Sequence, residues 1–510
     1  MTCSKIFSGD LPELTYKIIN YFQNDYSTLH SCILVNRLWC RLAIPLLWEN
    51  PFSIGTGNYN FIKIYLNNLD DDLKTKLNEY KIINNSLPSN LLFNYLKFLK
   101  FLNINTFILY VERWFEVAIK KNTVARPNNL TDICVPLFKI FIENEINLYT
   151  LEINVSGYRN FDLTCFDKIL ELILKNTNFI LNISNLNLYV SDYFGNIGAK
   201  NLLSQIINLH KNLKKILICY CNLPIYQSLL ISKDSNCSNS LNKIIFYCVN
   251  FKFITYLDKI FEQLNALESV HIIYCSFLNN SFIQQIINLT KPLKLKSLFM
   301  NDEKSESNTD ESLLLLLQKS GCYLENIEFG NSCKLELEQQ IFESVINYCK
   351  NIKFLRFDSQ IAFQISSLTE NIKHNLNYLS INDDPSSVKI RKNSTLLQDL
   401  GRALPSKLEY LSLNLFIKVN DFMIFLEDSQ DIVINKLIII QRGWDDILHY
   451  IKEYIMKEKR IKYLAFMKLK NSIELYDLKN EVKEFKLHNI IVQNYVKLYI
   501  NAHDFIVNTD

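Results

Sequence analysis

No Cys-x-x-Cys pair occurs in the 510 residues, and the nearest two of the thirteen cysteines are Cys219 and Cys221. That spacing excludes the common zinc and thiol-redox motifs and fits reduced thiols. Also absent are the G-x-x-x-x-G-K-[ST] phosphate loop, H-E-x-x-H and G-x-S-x-G. The Gly55–Gly57 "GTG" lacks the third glycine and the preceding strand of a dinucleotide site. All seven histidines stand singly, so no cofactor, metal site or catalytic residues are expected. Charge of one sign is missing too: 55 Lys plus Arg against 52 Asp plus Glu leave +3, with no global field for a polyanion, so no nucleic-acid partner is indicated. The longest aliphatic run, Leu313–Leu317, is far too short to span a bilayer, and the N-terminus has no apolar stretch of signal-peptide length. No membrane partner is expected, and localisation is expected to be cytoplasmic, nuclear or both.

What is present is apolar. Hydrophobic residues make up 48% of the chain, charged residues 21%, and mean hydropathy is +0.01, a composition that buries a core. One frame, L-x-x-L-x-L with Ile, Val or Phe allowed, recurs at Leu148, Ile183, Leu213, Leu241, Leu267, Leu295, Leu324, Ile352, Leu376, Leu408, Ile434 and Ile461, with a weaker match at Val482. From Leu213 to Ile352 the steps are 28, 26, 28, 29 and 28 residues. Positions four and six of the frame alternate inward as a short strand should, and helical patterns such as "DESLLLLLQKSG" (Asp310–Gly321) lie between. One such unit cannot bury its own apolar face, so copies must stack into a continuous core.

Strand plus helix at this period resembles the leucine-rich repeat. Cys221, Val249 and Cys275, each followed two residues on by Leu223, Phe251 and Phe277, resemble its cysteine-containing class, with the thiols as small core side chains. The expected fold is an α/β solenoid with a parallel concave sheet and outer helices. Polar stretches at 50–58, 121–132, 232–240, 301–312 and 382–394 read as loops, the last three as insertions on the helix side. The basic run Lys452–Lys470 is interleaved with glutamates and reads as a solvated face.

Ahead of the repeats, "LPELTYKIINYFQNDYSTLHSCILVNRLWCRLAIPLLW" (Leu11–Trp48) reads as two or three short amphipathic helices carrying Trp39 and Trp48. So small a unit buries its aromatics poorly by itself, which suggests an interface. Leu11-Pro12-Glu13, Ile18, Asp25 before Leu29, Val35–Trp39 with Arg41–Ala43 behind it, and Leu47-Trp48 together resemble an F-box. That resemblance implies a docking module for the Skp-type adaptor of cullin-RING (SCF) ubiquitin ligases, with Leu11, Pro12, Ile18, Leu29, Cys32, Val35, Trp39 and Leu42 as the adaptor-binding residues. The expected organisation is 1–50 F-box, 51–146 an irregular helical connection and 147–510 the leucine-rich-repeat solenoid.

Frame positions three, five and seven point away from the core, onto the concave sheet. Many carry large apolar side chains, unusual for a wetted surface. Tyr247, His271, Phe299, Phe354, Arg356, Tyr378 and Tyr410 therefore stand as candidate target-binding residues, with the composition of a binding hot spot. The expectation is a non-catalytic substrate receptor holding an unknown protein target. The alternative is a repeat scaffold or sensor without a ligase role.

Overall fold

The computed structural model describes residues 11–53, 57, 59–69, 71, 74, 75, 77, 91–122, 130–155, 163–190, 197–220, 236–252, 255–278, 280–300, 310–329, 335–358, 372, 374–382, 394–443, 445–458 and 460–508. Outside these lie Cys221, Leu223, Gly55, and residues 123–129, 301–309 and 383–393 of the polar stretches. The chain divides into two compact units, residues 1–243 with 264–266, and 244–263 with 267–510.

The first unit opens with three helices, α1 (Pro12–Tyr21), α2 (Tyr26–Cys32) and α3 (Arg37–Leu47). Each start has a local cause. Pro12 sits in the first turn of α1, where its missing N–H costs nothing. Asp25 accepts from the Thr28 N–H (3.0 Å) and hydroxyl (2.7 Å), and those bonds hold its carboxyl below the ordinary carboxylate range. Asn36 caps α3 by accepting from the Trp39 N–H at 2.9 Å. The helices close over Ile19, Leu29, Cys32, Trp39, Ala43 and Leu46.

Four parallel strands follow in the same unit: β1 (Phe101–Asn103), β2 (Thr150–Val155), β3 (Asn185–Val190) and β4 (Lys215–Cys219). β1 corrects the expected boundary. The sheet begins inside the stretch read as an irregular connection, because Lys100 O accepts from the N–H groups of Tyr149 and Thr150 and sets β1 beside β2. The frame is present there at Leu99, Leu102 and Ile104, but it stands 49 residues ahead of Leu148, outside the regular period, and so does not read as one of the repeats. Between strands, helices bury one stripe each; Leu163–Lys175 places Cys165, Phe166, Ile169, Leu170 and Ile173 inward at helical spacing.

β5 (Lys243–Tyr247) lies at the division between the units. The second unit then builds β6 (Ser269–Cys275), β7 (Leu295–Met300), β8 (Asn326–Glu328), β9 (Phe354–Asp358), β10 (Tyr378–Asn382), β11 (Lys407–Leu415), β12 (Val433–Gln441) and β13 (Ile461–Lys468), parallel and paired in chain order. Helices such as Asn280–Ile287 and Val419–Asp428 alternate with them, each burying an apolar stripe. Strand and helix thus alternate as in an α/β solenoid, and every frame from Leu148 to Ile461 falls on a strand.

The frame is not uniform in register. Between β6 and β7 it slips by two: His271, fifth in its frame, opposes Ser297, third in the next. The Val482 match fails altogether, because "VKEFKL" lies in the helix Lys479–Leu487 with only Phe485 buried. Val482 and Phe485 are three residues apart, which puts them on one helix face. Ahead of it, Lys452 of the basic run is paired with Glu481 and Glu484 of that helix.

Three consecutive repeats end on the same backbone signature. Tyr220, Cys248 and Tyr274, each at frame position eight, have φ of 56°, 51° and 51°. A left-handed residue there turns the chain off β4 and β5 and kinks β6 at its register shift before Cys275, and without glycine each costs about 1–2 kcal/mol.

Candidate functional site

Two places were singled out by sequence. On the N-terminal helices the structure separates the eight candidate adaptor residues by burial. Pro12 and Val35 are exposed, and Leu11, Ile18 and Leu42 are half-buried. Leu29, Cys32 and Trp39 are at most 8% exposed and belong to the core of the helical unit, so they shape a surface instead of presenting one. The expected exposed aromatics are placed differently as well. Trp48 packs against Tyr95, Tyr65 and Phe61, with ring centroids 4.4, 5.8 and 6.3 Å away, and ties α3 to the body of the unit. The Glu49 carbonyl accepts from the N–H groups of Lys100 and Phe101 and does the same for the backbone. The large apolar side chains left in solvent are Leu14, Tyr16, Tyr21, Leu34 and Val35, with Tyr21 and Leu34 more than three-quarters exposed. Sequence had flagged only Val35 among them, because heptad-like spacing says which residues share a face and not which face finds a partner.

The candidate target-binding residues line one face of the second unit's sheet, as their frame positions required. Register places Phe354, Tyr378 and Tyr410 side by side on β9, β10 and β11. His271 opposes Ser297, Phe299 opposes Glu328, and Glu328 opposes Arg356. They are not open. Phe299, Phe354, Arg356 and Tyr410 are 1% exposed or less and His271 is buried, while Tyr247 and Tyr378 are half-buried.

What covers them is the end of the chain itself. β14 (Ile491–Val492) pairs parallel with β13, the Gln493 N–H donates to Leu464 O at 2.9 Å, and the chain then crosses the sheet face as α4 (Tyr495–Leu498) and α5 (Ala502–Asn508). Asn494 caps α4 by accepting from the Lys497 N–H at 3.0 Å. Leu498 packs with Tyr410, Ile438, Ile440 and Ala465, against which Tyr495 and Ile500 also rest. Burial there pushes the Tyr495 phenol up to about 12. Further along, the Phe505 ring stands 5.3 Å from Phe354 and 5.0 Å from Tyr378, and His503 lies 4.5 Å from the Tyr247 ring.

Arg356 is the polar centre of this arrangement. Its Nη1 donates to Glu328 Oε2 at 3.0 Å, its Nη2 donates to the Ile500 carbonyl at 2.9 Å, and its guanidinium lies 4.9 Å above the Tyr499 ring. The Tyr274 hydroxyl donates to the same Glu328 oxygen at 2.9 Å. Burial alone would lower the Arg356 pKa, but Glu328 together with Tyr499, Tyr274 and Tyr410 outweighs it, so the net direction is upward. Burial and the adjoining Glu328 carboxylate push Tyr274 up as well. Beside this cluster, Ser297 Oγ joins His271 Nδ1 (2.8 Å) and Asn326 Nδ2 (2.9 Å) in a short cross-strand chain. The apolar and aromatic residues at nominally outward positions are therefore a second core, roofed by residues 495–508.

Cys237, Cys275 and Cys349 are held as inert thiols. Burial pushes Cys275 and Cys349 up to about 12 and Cys237 up to about 11, and Cys237 Sγ donates to the His210 carbonyl at 2.6 Å. Among the described residues no group of three or more His, Cys, Asp or Glu is placed to hold a metal, and no helix is long and apolar enough to cross a membrane.

No protein-family model matches the chain, and no curated protein matches it. Among solved structures, similarity is found to the leucine-rich repeat-containing protein LegL7 from Legionella pneumophila, at 10% identity and a TM-score of 0.31, covering 71% of this chain and 95% of that one. The architecture stated above rests on the strand registers themselves.

Proposed function

We propose that the chain is a non-catalytic substrate receptor of an SCF-type cullin-RING ubiquitin ligase, whose N-terminal F-box-like helices dock a Skp-type adaptor and whose leucine-rich-repeat-like body holds a protein target. The observation that carries the docking half is the exposure of Leu14, Tyr21, Leu34 and Val35 on a small helical unit whose own core is already filled. A free-standing unit has no use for so much apolar surface in water, and an interface does. Of the motif residues, Pro12 and Val35 are exposed and Leu11, Ile18 and Leu42 half-buried, so each retains surface for a partner. The repeat body supports the second half, because stacked parallel strands present a long row of side chains at fixed spacing. The receptor then accelerates ubiquitin transfer by positioning, with the chemistry supplied by another subunit. A repeat scaffold without a ligase role is the second reading, which needs only the parallel repeat sheet.

A pull-down of a Skp-type adaptor with the full chain tests the docking half. The companion variant is Leu34→Ala with Val35→Ala, which leaves Leu29, Cys32 and Trp39 in the helical core untouched. Hot-spot truncations of this kind weaken binding by about tenfold or more. Capture by the wild-type chain and loss in the variant, with unchanged circular dichroism, is expected. Absence of capture by the folded wild-type chain refutes the ligase role and leaves the scaffold.

A further inference from the structure

The C-terminal segment reads more like a bound ligand than like another repeat. After β14 it makes no strand pairing with the sheet, and it crosses from β13 back toward β6 in two short helices. Its described contacts with the sheet are those of peptide recognition. Phe505 contacts the Phe354 and Tyr378 rings, His503 lies on Tyr247, and Leu498 fills the patch around Tyr410. A backbone carbonyl, that of Ile500, accepts from a guanidinium pre-set by Glu328. A buried arginine held by one carboxylate, with a second nitrogen turned to a main-chain carbonyl, recognises a backbone whatever its side chains are. Leu498, Ala502 and Ile506 are buried, Phe505 and His503 half-buried and Val496 73% exposed, so one side of the segment is seated in the face and the other meets solvent.

We infer that the face formed by Tyr247, Phe354, Arg356, Tyr378 and Tyr410 is a peptide-binding groove, with residues 494–508 as its resident ligand in cis. The partner that fits it is a protein segment of the same chemistry: near-neutral, with an aromatic ring for the Phe354–Tyr378 slot and an unpaired main-chain carbonyl for Arg356. Residues 494–508 themselves hold one lysine and one aspartate, so charge plays little part in the match. Such a target binds by displacing the resident segment. Its apparent affinity is lowered by the fraction of chains in which the groove stands closed. This inference rests on the reading that targets are held by the repeat body. It is independent of the adaptor.

The test uses the full chain and a fluorescent synthetic peptide of residues 494–508. Anisotropy is measured with the wild-type chain and with full-length Phe505→Ala, in which the cis ligand is weakened but the groove is intact. The Phe505→Ala chain is expected to bind the peptide at least about tenfold more tightly than the wild type, and a peptide carrying the same substitution to bind at least about tenfold more weakly. No saturable binding to a folded Phe505→Ala chain overturns the inference. Should that variant fail to fold, hydrogen exchange on the wild-type chain decides. Amides of 495–508 exchanging at least about 100-fold faster than those of β10–β12 show a segment that opens by itself. Equal protection makes it an integral part of the core and overturns the inference. Loss of peptide binding with adaptor capture intact leaves the ligase reading standing, and the reverse outcome leaves the groove standing.

Discussion

Replacing Arg356 by methionine removes the charge at the centre of the covered face while keeping most of the side-chain volume. The side chain is 2% exposed and Glu328 18% exposed, so the pair is largely out of water and its partner cannot be fully rehydrated when the guanidinium goes. Breaking a buried pair from one side costs about 3–5 kcal/mol. Partial access of water to Glu328 and the remaining Tyr274 hydroxyl bond place this case at the low end, about 3 kcal/mol. The lost bond to Ile500 O falls inside that figure, because Arg356 serves both acceptors at once. Urea unfolding followed by circular dichroism reads the change. The cycle with Glu328→Gln isolates the pair, and Arg356→Met with Glu328→Gln together should cost less than the two single changes added. Near-additive single changes, or an Arg356→Met chain within about 0.5 kcal/mol of wild type, would refute the reading of Arg356 as the clamp of the C-terminal segment.

Two further outcomes follow from single sites. His210 is buried, neither ring nitrogen has a hydrogen-bond partner among the described residues, and burial lowers its pKa from 6.5 to about 4. The unfolded chain takes up a proton near 6.5 while the folded chain resists until about 4, so the contribution is complete above 6.5 and is lost as pH falls through that window. The loss amounts to about 3 kcal/mol by pH 4, and His210→Gln should flatten that part of a stability-against-pH curve. Gly443 lies where an added Cβ would stand 2.8 Å from the Ile417 carbonyl oxygen, so Gly443→Ala must shift backbone. It should cost about 2 kcal/mol in thermal or urea unfolding.

Sequence carried the repeat because its cause is local. A strand two residues in period, followed by an apolar helical stripe, writes itself into the spacing of Leu, Ile and Phe, and twelve frames from Leu148 to Ile461 correspond to strands β2–β13. It carried two or three N-terminal helices for the same reason, through their amphipathic spacing. Strand β1 carries the frame at Leu99, Leu102 and Ile104 but stands 49 residues ahead of Leu148, out of period, and Val482 matched the frame while its charged neighbours make a helix. Sequence also marked Phe354, Arg356, Tyr378 and Tyr410 as neighbours on one face, a consequence of period two and a fixed register.

Only the tertiary structure decided what those neighbours touch. Ile500 is 144 residues from Arg356 along the chain, and no spacing rule links them. The same limit applies at the N-terminus, where Leu29, Cys32 and Trp39 turned inward and Leu14, Tyr21 and Leu34 were left outside. Local periodicity fixes which residues share a face. Whether that face meets solvent, a partner or the chain's own end depends on how distant segments pack, and that is settled by the summed burial of the whole unit.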